Sequence, residues 1–496
     1  MRRRSGGALC TVFSLVAGLA VALPSGAAAA ATFNVKDYGA KGNGTTVDSP
    51  AIDKAITAAS AARGGVVDFP PGTYLARTIH LKSDITLNLR AGAKIIASGS
   101  GMDAPEPNPY DAYQDFGHSH FRNALIAGEN VENVAFTGAG TIDGDDELET
   151  GENIPAGVAD KLVSLKLCKN VSFADVTLRR GGHFALIANG CDGLKLNRVK
   201  VFSTEDRDGI NFINSSRVEL ADSRIEASDD AVAFKSDYAL GRTFVSEDNI
   251  VRDSTILSTE NNAVQFGSET CGGFRNTRFR NLTITGAAKA GLGMVSMDGA
   301  VIEDISFTGI TLRKTASPIF LHVGKRSRCP GNPPAGRIRN ITYRDITGTD
   351  LIAPRDIPGD PEYASTLSGR PEAPIENVTF DNVKLTVPGG HPAAEADLVP
   401  PEASTTYPPR IFGKRPAYGF WLRHAAGIRF TGGEFRFAKA DGRPAFLTDD
   451  VRGIALDGVR VDRSNGGYDV VWRNTSGQNV TGSTTTGGQA LRVRTR

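Results

Sequence analysis

A short phrase recurs along this chain, and its spacing restricts the possible folds more than any other feature. It consists of a polar residue or glycine, an aliphatic, any residue, and then often an aromatic or aliphatic. Copies are Asn133-Val134-Ala135-Phe136, Asn170-Val171-Ser172-Phe173, Gly193-Leu194-Lys195-Leu196 and Arg217-Val218-Glu219-Leu220. Later copies are Asp304-Ile305-Ser306-Phe307, Asn340-Ile341-Thr342-Tyr343, Asn377-Val378-Thr379-Phe380, Gly427-Ile428-Arg429-Phe430 and Gly453-Ile454-Ala455-Leu456. The step between aliphatic positions is 23 from Val171 to Leu194, 24 from Leu194 to Val218 and 26 from Ile428 to Ile454. A second alternating run follows each copy, as in Val176-Thr177-Leu178 and Ile310-Thr311-Leu312. Each unit predicts roughly two or three short strands with alternating apolar positions. No such unit buries its apolar face alone. Stacked as coils of a parallel β-helix, the units form one continuous core. An antiparallel sandwich would show frequent hairpin turns but no sustained long period, and it ranks second. High glycine, 56 residues, and aromatics at 7% suit a turn-rich β protein.

The ends and interruptions are read against this period. Residues 1–31 have the order of an export signal: Arg2-Arg3-Arg4, an apolar run from Ala8 to Leu23, then small residues from Ala27 to Ala31. The β-helix is expected to fill 32–496. Ser49 is expected to cap a helix from Pro50 to Ala62, with Ile52, Ala55, Ile56 and Ala59 on one face and Gly64-Gly65 as its stop. That helix would cover the open end of the solenoid, whose strand edge otherwise invites pairing. Segments near 353–374 and 388–416, rich in proline, glycine and charge, read as long corner loops. Beyond the leader, four cysteines remain: Cys168, Cys191, Cys271 and Cys329. Cys168 and Cys191 stand about one coil apart and are expected to stack, while spacing alone leaves the pairing open. No cysteine spacing matches a zinc site, and no metal or cofactor is expected. A formal net charge of +1 gives no basic field for nucleic acid, and no later stretch is apolar enough to span a membrane. A monomer acting on a polysaccharide or oligosaccharide is the expected state.

Three aspartates carry the chemistry. Asp208 and the pair Asp229-Asp230 are separated by 21 and 22 residues, close to one coil. With about 4.8 Å between hydrogen-bonded strands, Asp208 lies beside the pair on the next coil. Both members of the pair face outward only at a bend or bulge. Three crowded carboxyls repel one another, so acid–base chemistry explains them better than stability does. A glycosidase uses such a set: one acid protonates the leaving oxygen, and carboxylates activate a water.

These segments resemble glycoside hydrolase family 28, the polygalacturonase family of right-handed parallel β-helix enzymes. Its Asn-Thr-Asp motif corresponds to Asp206-Arg207-Asp208, and its Asp-Asp motif to Asp229-Asp230. Phe33-Asn34-Val35-Lys36-Asp37-Tyr38-Gly39-Ala40, Phe69-Pro70-Pro71-Gly72-Thr73-Tyr74 and Gly140-Thr141-Ile142-Asp143-Gly144 are similar too, and specify fold more than reaction. The resemblance implies Asp229 as general acid, Asp208 and Asp230 as the groups that activate water, and inversion at the anomeric carbon. Two motifs depart. Gly-His-Gly falls at Asn261-Asn262-Ala263, and Arg-Ile-Lys at Gly293-Met294-Val295, so both cations expected to grip a uronate are missing. The site is therefore expected to take a neutral or differently linked sugar, or to borrow a cation from Lys235, Lys289, Lys325 or Arg326.

Substrate contacts are expected from Asn262, His183, Lys235, Glu269, His118 and His120. Against these stand plainer readings: satisfied surface histidines, a packing role for His183, and a solvated loop charge for Glu269. Trp421, Tyr110 and Tyr113 are possible sugar-stacking rings or ordinary packing groups. The leading function is a secreted inverting hydrolase of a pectic polysaccharide. A β-helix polysaccharide lyase with acid-held calcium, and a non-catalytic carbohydrate-binding β-helix, are the alternatives.

Overall fold

A computed structural model describes residues 1–2, 30–113, 117–151, 158–203, 207–354 and 363–496. Most of the proposed export signal lies outside the described residues. From Thr32–Asn34 to Val493–Thr495 the strands pair in parallel, strand on one coil with its counterpart on the next. The architecture is a right-handed parallel β-helix with three strands per coil.

The recurring phrase has a geometric cause. Its first residue adopts a left-handed backbone in every copy named above: φ is 57° at Asn133, 50° at Asn170, 77° at Gly193, 53° at Arg217 and 56° at Asp304. It is 57° at Asn340, 54° at Asn377, 67° at Gly427 and 71° at Gly453. Asparagine, aspartate and glycine tolerate this region best, which explains the composition of the corner. Corner side chains also bond along the stack: Asn170 Nδ2 donates to Asn133 Oδ1 at 2.8 Å, and Asn340 Nδ2 to Asp304 Oδ1 at 3.0 Å. The last residue of the phrase points inward and builds an aromatic column. Phe279 stacks on Phe307 at 4.5 Å, Phe307 on Tyr343 at 5.0 Å, Tyr343 on Phe380 at 5.1 Å, and Phe380 on Phe430 at 4.4 Å. Each such pair contributes about 0.5–1.5 kcal/mol beyond area burial.

The helix is Ser49–Ala61, and Ile52, Ala55, Ile56 and Ala59 are fully buried against the first coil. Ser49 is not its cap. Asp48 holds the N-cap position, and its carboxylate accepts the N–H groups of Lys41 and Gly42 instead of the helix's own. Ser49 Oγ accepts Arg77 N–H at 3.2 Å, so both residues tie the helix to neighbouring loops. Arg63 and Gly64, with φ of 61° and 124°, turn the chain out of the helix, and Gly65 opens the next strand.

Of the segment near 353–374, residues 355–362 lie outside the described residues. Ser365–Ser368 is a strand paired with Thr315–Val323 and Phe420–Thr431. Its outward residues are Thr366 and Ser368, so the short Ser-Thr-Leu-Ser run lacks an apolar pattern strong enough to read from sequence. Residues 388–416 do form a long loop, with short 3-10 turns at Ala393–Asp397 and Pro409–Phe412. Cys168 and Cys191 stack as expected, with Cys168 N–H 3.3 Å from Cys191 Sγ, yet both remain free thiols. The disulfide joins Cys271 to Cys329. Among the described residues no helix is long and apolar enough to cross a membrane.

Candidate active site

One sheet of the solenoid carries the acidic trio at its leading edge. Its strands include Phe184–Asn189, Asp208–Ile213, Val232–Ser236, Val264–Thr270 and the later part of Thr283–Ser296. Asp208 opens its strand, and Asp229-Asp230 sit in the corner between Arg224–Ala227 and Val232–Ser236, where the bend lets both side chains reach the same side. The nearest carboxyl oxygens of Asp208, Asp229 and Asp230 all lie within 4.8 Å of one another. Asp208 and Asp230 are buried, and Asp229 is the half-exposed member.

Backbone and amide donors hold the trio in place. Asp230 N–H donates to Asp229 Oδ1 at 2.8 Å and to Asp208 Oδ1 at 3.2 Å. Asn211 Nδ2 donates to Asp208 Oδ2 at 2.9 Å. From the next coil, Asn262 Nδ2 donates to Asp230 Oδ1 at 2.8 Å, and Asn261 Nδ2 donates to Asp229 Oδ1. Burial, reinforced by the charge of Asp208, pushes Asp229 up to about 6. Burial and the charges of Asp229 and Asp208 push Asp230 up to about 8. The adjacent pair therefore retains a proton near neutrality, shared between coupled groups.

Lys235 is the buried cation of the site. Its Nζ lies 3.3 Å from Asp208 Oδ2, 3.4 Å from His118 Nε2 and 3.7 Å from Glu269 Oε2. Burial works against its charge, but Asp208, Glu269, Asp230 and Asp229 outweigh it and hold the ammonium well above the ordinary lysine range. Glu269 is not a solvated loop charge: it is 2% exposed and accepts Ser268 Oγ–H at 3.0 Å. It also lies 3.7 Å from Arg328 Nη1 and 3.9 Å from Arg326 Nη2. Arg326 in turn grips Asp298 at 2.6 Å.

The other expected contacts are scattered. His118 joins the Lys235–Glu269 cluster and packs on Phe184. His183 lies edge-on to Phe184, beside Gly117. His120 binds the carbonyl of Glu106 at 2.6 Å and Asp111 at 3.2 Å, and so anchors the preceding loop. Tyr110 and Tyr113 pack on Tyr238, and Trp421 is buried against Phe412. Lys289, half-buried, acts electrostatically on Asp229. Asn211 was not anticipated; its place three residues after Asp208 is the only hint. Among the described residues the trio is the one acidic group tight enough to share a cation, but Lys235 already brings positive charge to it.

The register sets Gly293 beside Gln265 on the preceding coil. Outward positions run Asn211, Ala233, Gln265, Gly293, Phe320, Thr366, Trp421 and Leu447 on successive coils. A side chain at Gly293 would overlap Gln265 Oε1, so glutamine fills that space. Downstream, Phe320, Trp421 and Leu447 are roofed by Phe412 and Ala417, with Tyr407 and Ile411 packed against them. Upstream, Ile187, Ile213 and Phe184 are roofed by Phe121 and Ala239. The polar strip under the trio is thus bounded by apolar clusters on both sides. Asn123 and Asp160, at the same edge on earlier coils, border a cavity of about 300 Å³ lined also by Asp103, Glu147 and Glu149.

Comparison with known proteins gives concordant results. The family described as glycosyl hydrolases family 28 matches residues 77–405. An exo-poly-alpha-D-galacturonosidase of Dickeya chrysanthemi is 26% identical over 435 residues, covering 74% of this chain and 69% of that protein. A polygalacturonase of Malus domestica is 24% identical over 388 residues, covering 73% of this chain and 76% of that one. Among solved structures, the family 28 exopolygalacturonase of Yersinia enterocolitica superposes with a TM-score of 0.66 at 18% identity, covering 86% of this chain and 79% of its own; this likeness concerns the fold.

Proposed function

This chain belongs to glycosyl hydrolases family 28, and on that premise we propose that it hydrolyses a glycosidic bond in a pectic polysaccharide or oligosaccharide through Asp208, Asp229 and Asp230. The observation that carries the reading is the trio itself: three carboxyls within 4.8 Å, two of them pushed up to about 6 and about 8. Asp229 is the general acid. Burial and the neighbouring charges raise Asp230 further than Asp229, but the leaving oxygen must touch the acid, and Asp229 is the half-buried member while Asp230 is buried. Asp208, which accepts from Asn211 Nδ2, Asp230 N–H and Lys235 Nζ, draws the proton from the attacking water, and Asp230 beside it positions that water.

Inversion is proposed on the ground of family. These carboxyls stand closer than the roughly 6.5–9.5 Å of common inverting pairs. The water must then sit beside the trio rather than between two opposed acids. Action from a chain end is supported by the apolar roof over Phe320 and Trp421, which closes the strip on its downstream side. Export is supported by the order of residues in 1–31 and by the Cys271–Cys329 disulfide, a bond suited to an oxidising compartment.

The test is a panel of pectic oligosaccharides with NMR of the first anomer released. Hydrolysis with inversion and early release of short products is expected, and Asp229→Asn abolishes nearly all turnover while the protein stays folded. Substantial turnover by Asp229→Asn would sink the assignment of the acid. Retention at the anomeric carbon would sink the water-activating role of Asp208 and Asp230.

A further inference from the structure

We infer that Lys235 is a positioning residue for Asp208, not a cation that grips the substrate: its ammonium, paired from behind with Glu269, donates to the Asp208 carboxyl and holds it in the orientation that water activation needs. The inference rests on the hydrolase reading above and assigns Lys235 a role within it.

The geometry is one-sided. Lys235 is 6% exposed and its strand neighbours Val232 and Phe234 point into the core, so the side chain leaves the sheet directly beneath the trio. Three kinds of group face it. Asp208 comes from the preceding coil at 3.3 Å, Glu269 from the following coil at 3.7 Å, and His118 from the loop above at 3.4 Å. Asp229 and Asp230 precede it on its own coil and also act on its charge. An ammonium has three donors, and these partners converge on it from inside the protein. A sugar carboxylate seeking Lys235 would compete with two buried carboxylates already in place.

Glu269 is itself held. Ser268 donates to it, Arg326 and Arg328 lie within 4 Å, and the Cys271–Cys329 disulfide joins the two segments that bear these groups. A buried ion pair contributes little net stability, since desolvation offsets most of the attraction. Breaking one by removing a single partner is costly, and a fixed, dry charge near a reacting group strongly affects it. The arrangement therefore suits control of Asp208 better than it suits stabilisation.

Two experiments test this with the full chain. In steady-state kinetics on an oligosaccharide the parent cleaves, Lys235→Met is expected to lower kcat by about tenfold or more with KM nearly unchanged. Both limbs of its pH profile move to higher pH by about one unit, because the positive charge near the carboxyls is gone. Lys235→Arg restores part of both effects. A substrate-gripping cation would instead raise KM and leave the pH profile in place, and that result overturns the inference.

The second experiment needs no turnover. Carboxyl ¹³C titration of labelled aspartate is followed in the parent, Lys235→Met and Lys235→Gln, with thermal melting as the check on folding. Upward shifts of the trio in either folded variant support the inference even if no tested oligosaccharide is cleaved. Unchanged titration overturns it, whatever the fate of the hydrolase assignment.

Discussion

Asn262 spends its whole side chain on protein partners: Nδ2 donates to Asp230 Oδ1 at 2.8 Å, and Oδ1 accepts Ala290 N–H at 3.0 Å. Expected from sequence to touch sugar, it braces Asp230 from the next coil. Its hydrogen bond also draws Asp230 downward, against burial. Asn262→Ala is therefore expected to raise the titration of the pair and to cut kcat by about tenfold, with KM little changed. A pH–rate profile measures this, and a rise in KM alone would return Asn262 to the substrate.

The trio makes folding depend on pH. Asp229 and Asp230 are raised from 3.8 to about 6 and about 8. A raised carboxyl favours the folded state while it stays protonated there. Its contribution is complete below the unfolded value and is lost as pH climbs through about 6 and then about 8. Asp230→Asn removes that loss, so its Tm advantage over the parent is expected to widen from pH 5 to pH 8. A constant difference across this window would contradict the shifts.

Gly293 and Gln265 exchange space across adjacent coils. Gly293→Arg, which rebuilds one lost uronate-binding cation, is expected to cost about 1–3 kcal/mol through overpacking and to gain nothing on polygalacturonate. Combined with Gln265→Ala, the arginine finds room, and KM for polygalacturonate falls. Chemical denaturation and steady-state kinetics follow the two effects. A single variant as stable as the parent would show that Gln265 simply moves aside.

The Cys271–Cys329 bond spans a separation of 58 residues beside Glu269 and Arg328. Replacing both cysteines by serine is expected to cost about 2–4 kcal/mol through the freed unfolded chain. Because Glu269 then loses a support, kcat also falls further than stability alone explains. Urea unfolding with parallel assays at a temperature where both forms are folded checks this.

What could be read from the chain by itself was local or periodic. The repeated phrase determined the solenoid, because a left-handed corner followed by an inward aromatic must recur on every coil, and only asparagine, aspartate or glycine serve that corner easily. The amphipathic face of Ser49–Ala61 determined the end cap, and the 22-residue step from Asp208 to Asp230 brought the trio together. Tertiary structure decided everything that depends on what lies across a coil. It buried Glu269 against three cations, spent Asn262 on Asp230, placed Trp421 under Phe412 and paired Cys271 with Cys329 instead of Cys168 with Cys191. The physical reason is that loop length varies from coil to coil. Sequence spacing gives the stacking partner within a strand, while burial and charge pairing depend on side chains brought from loops whose path the repeat does not encode.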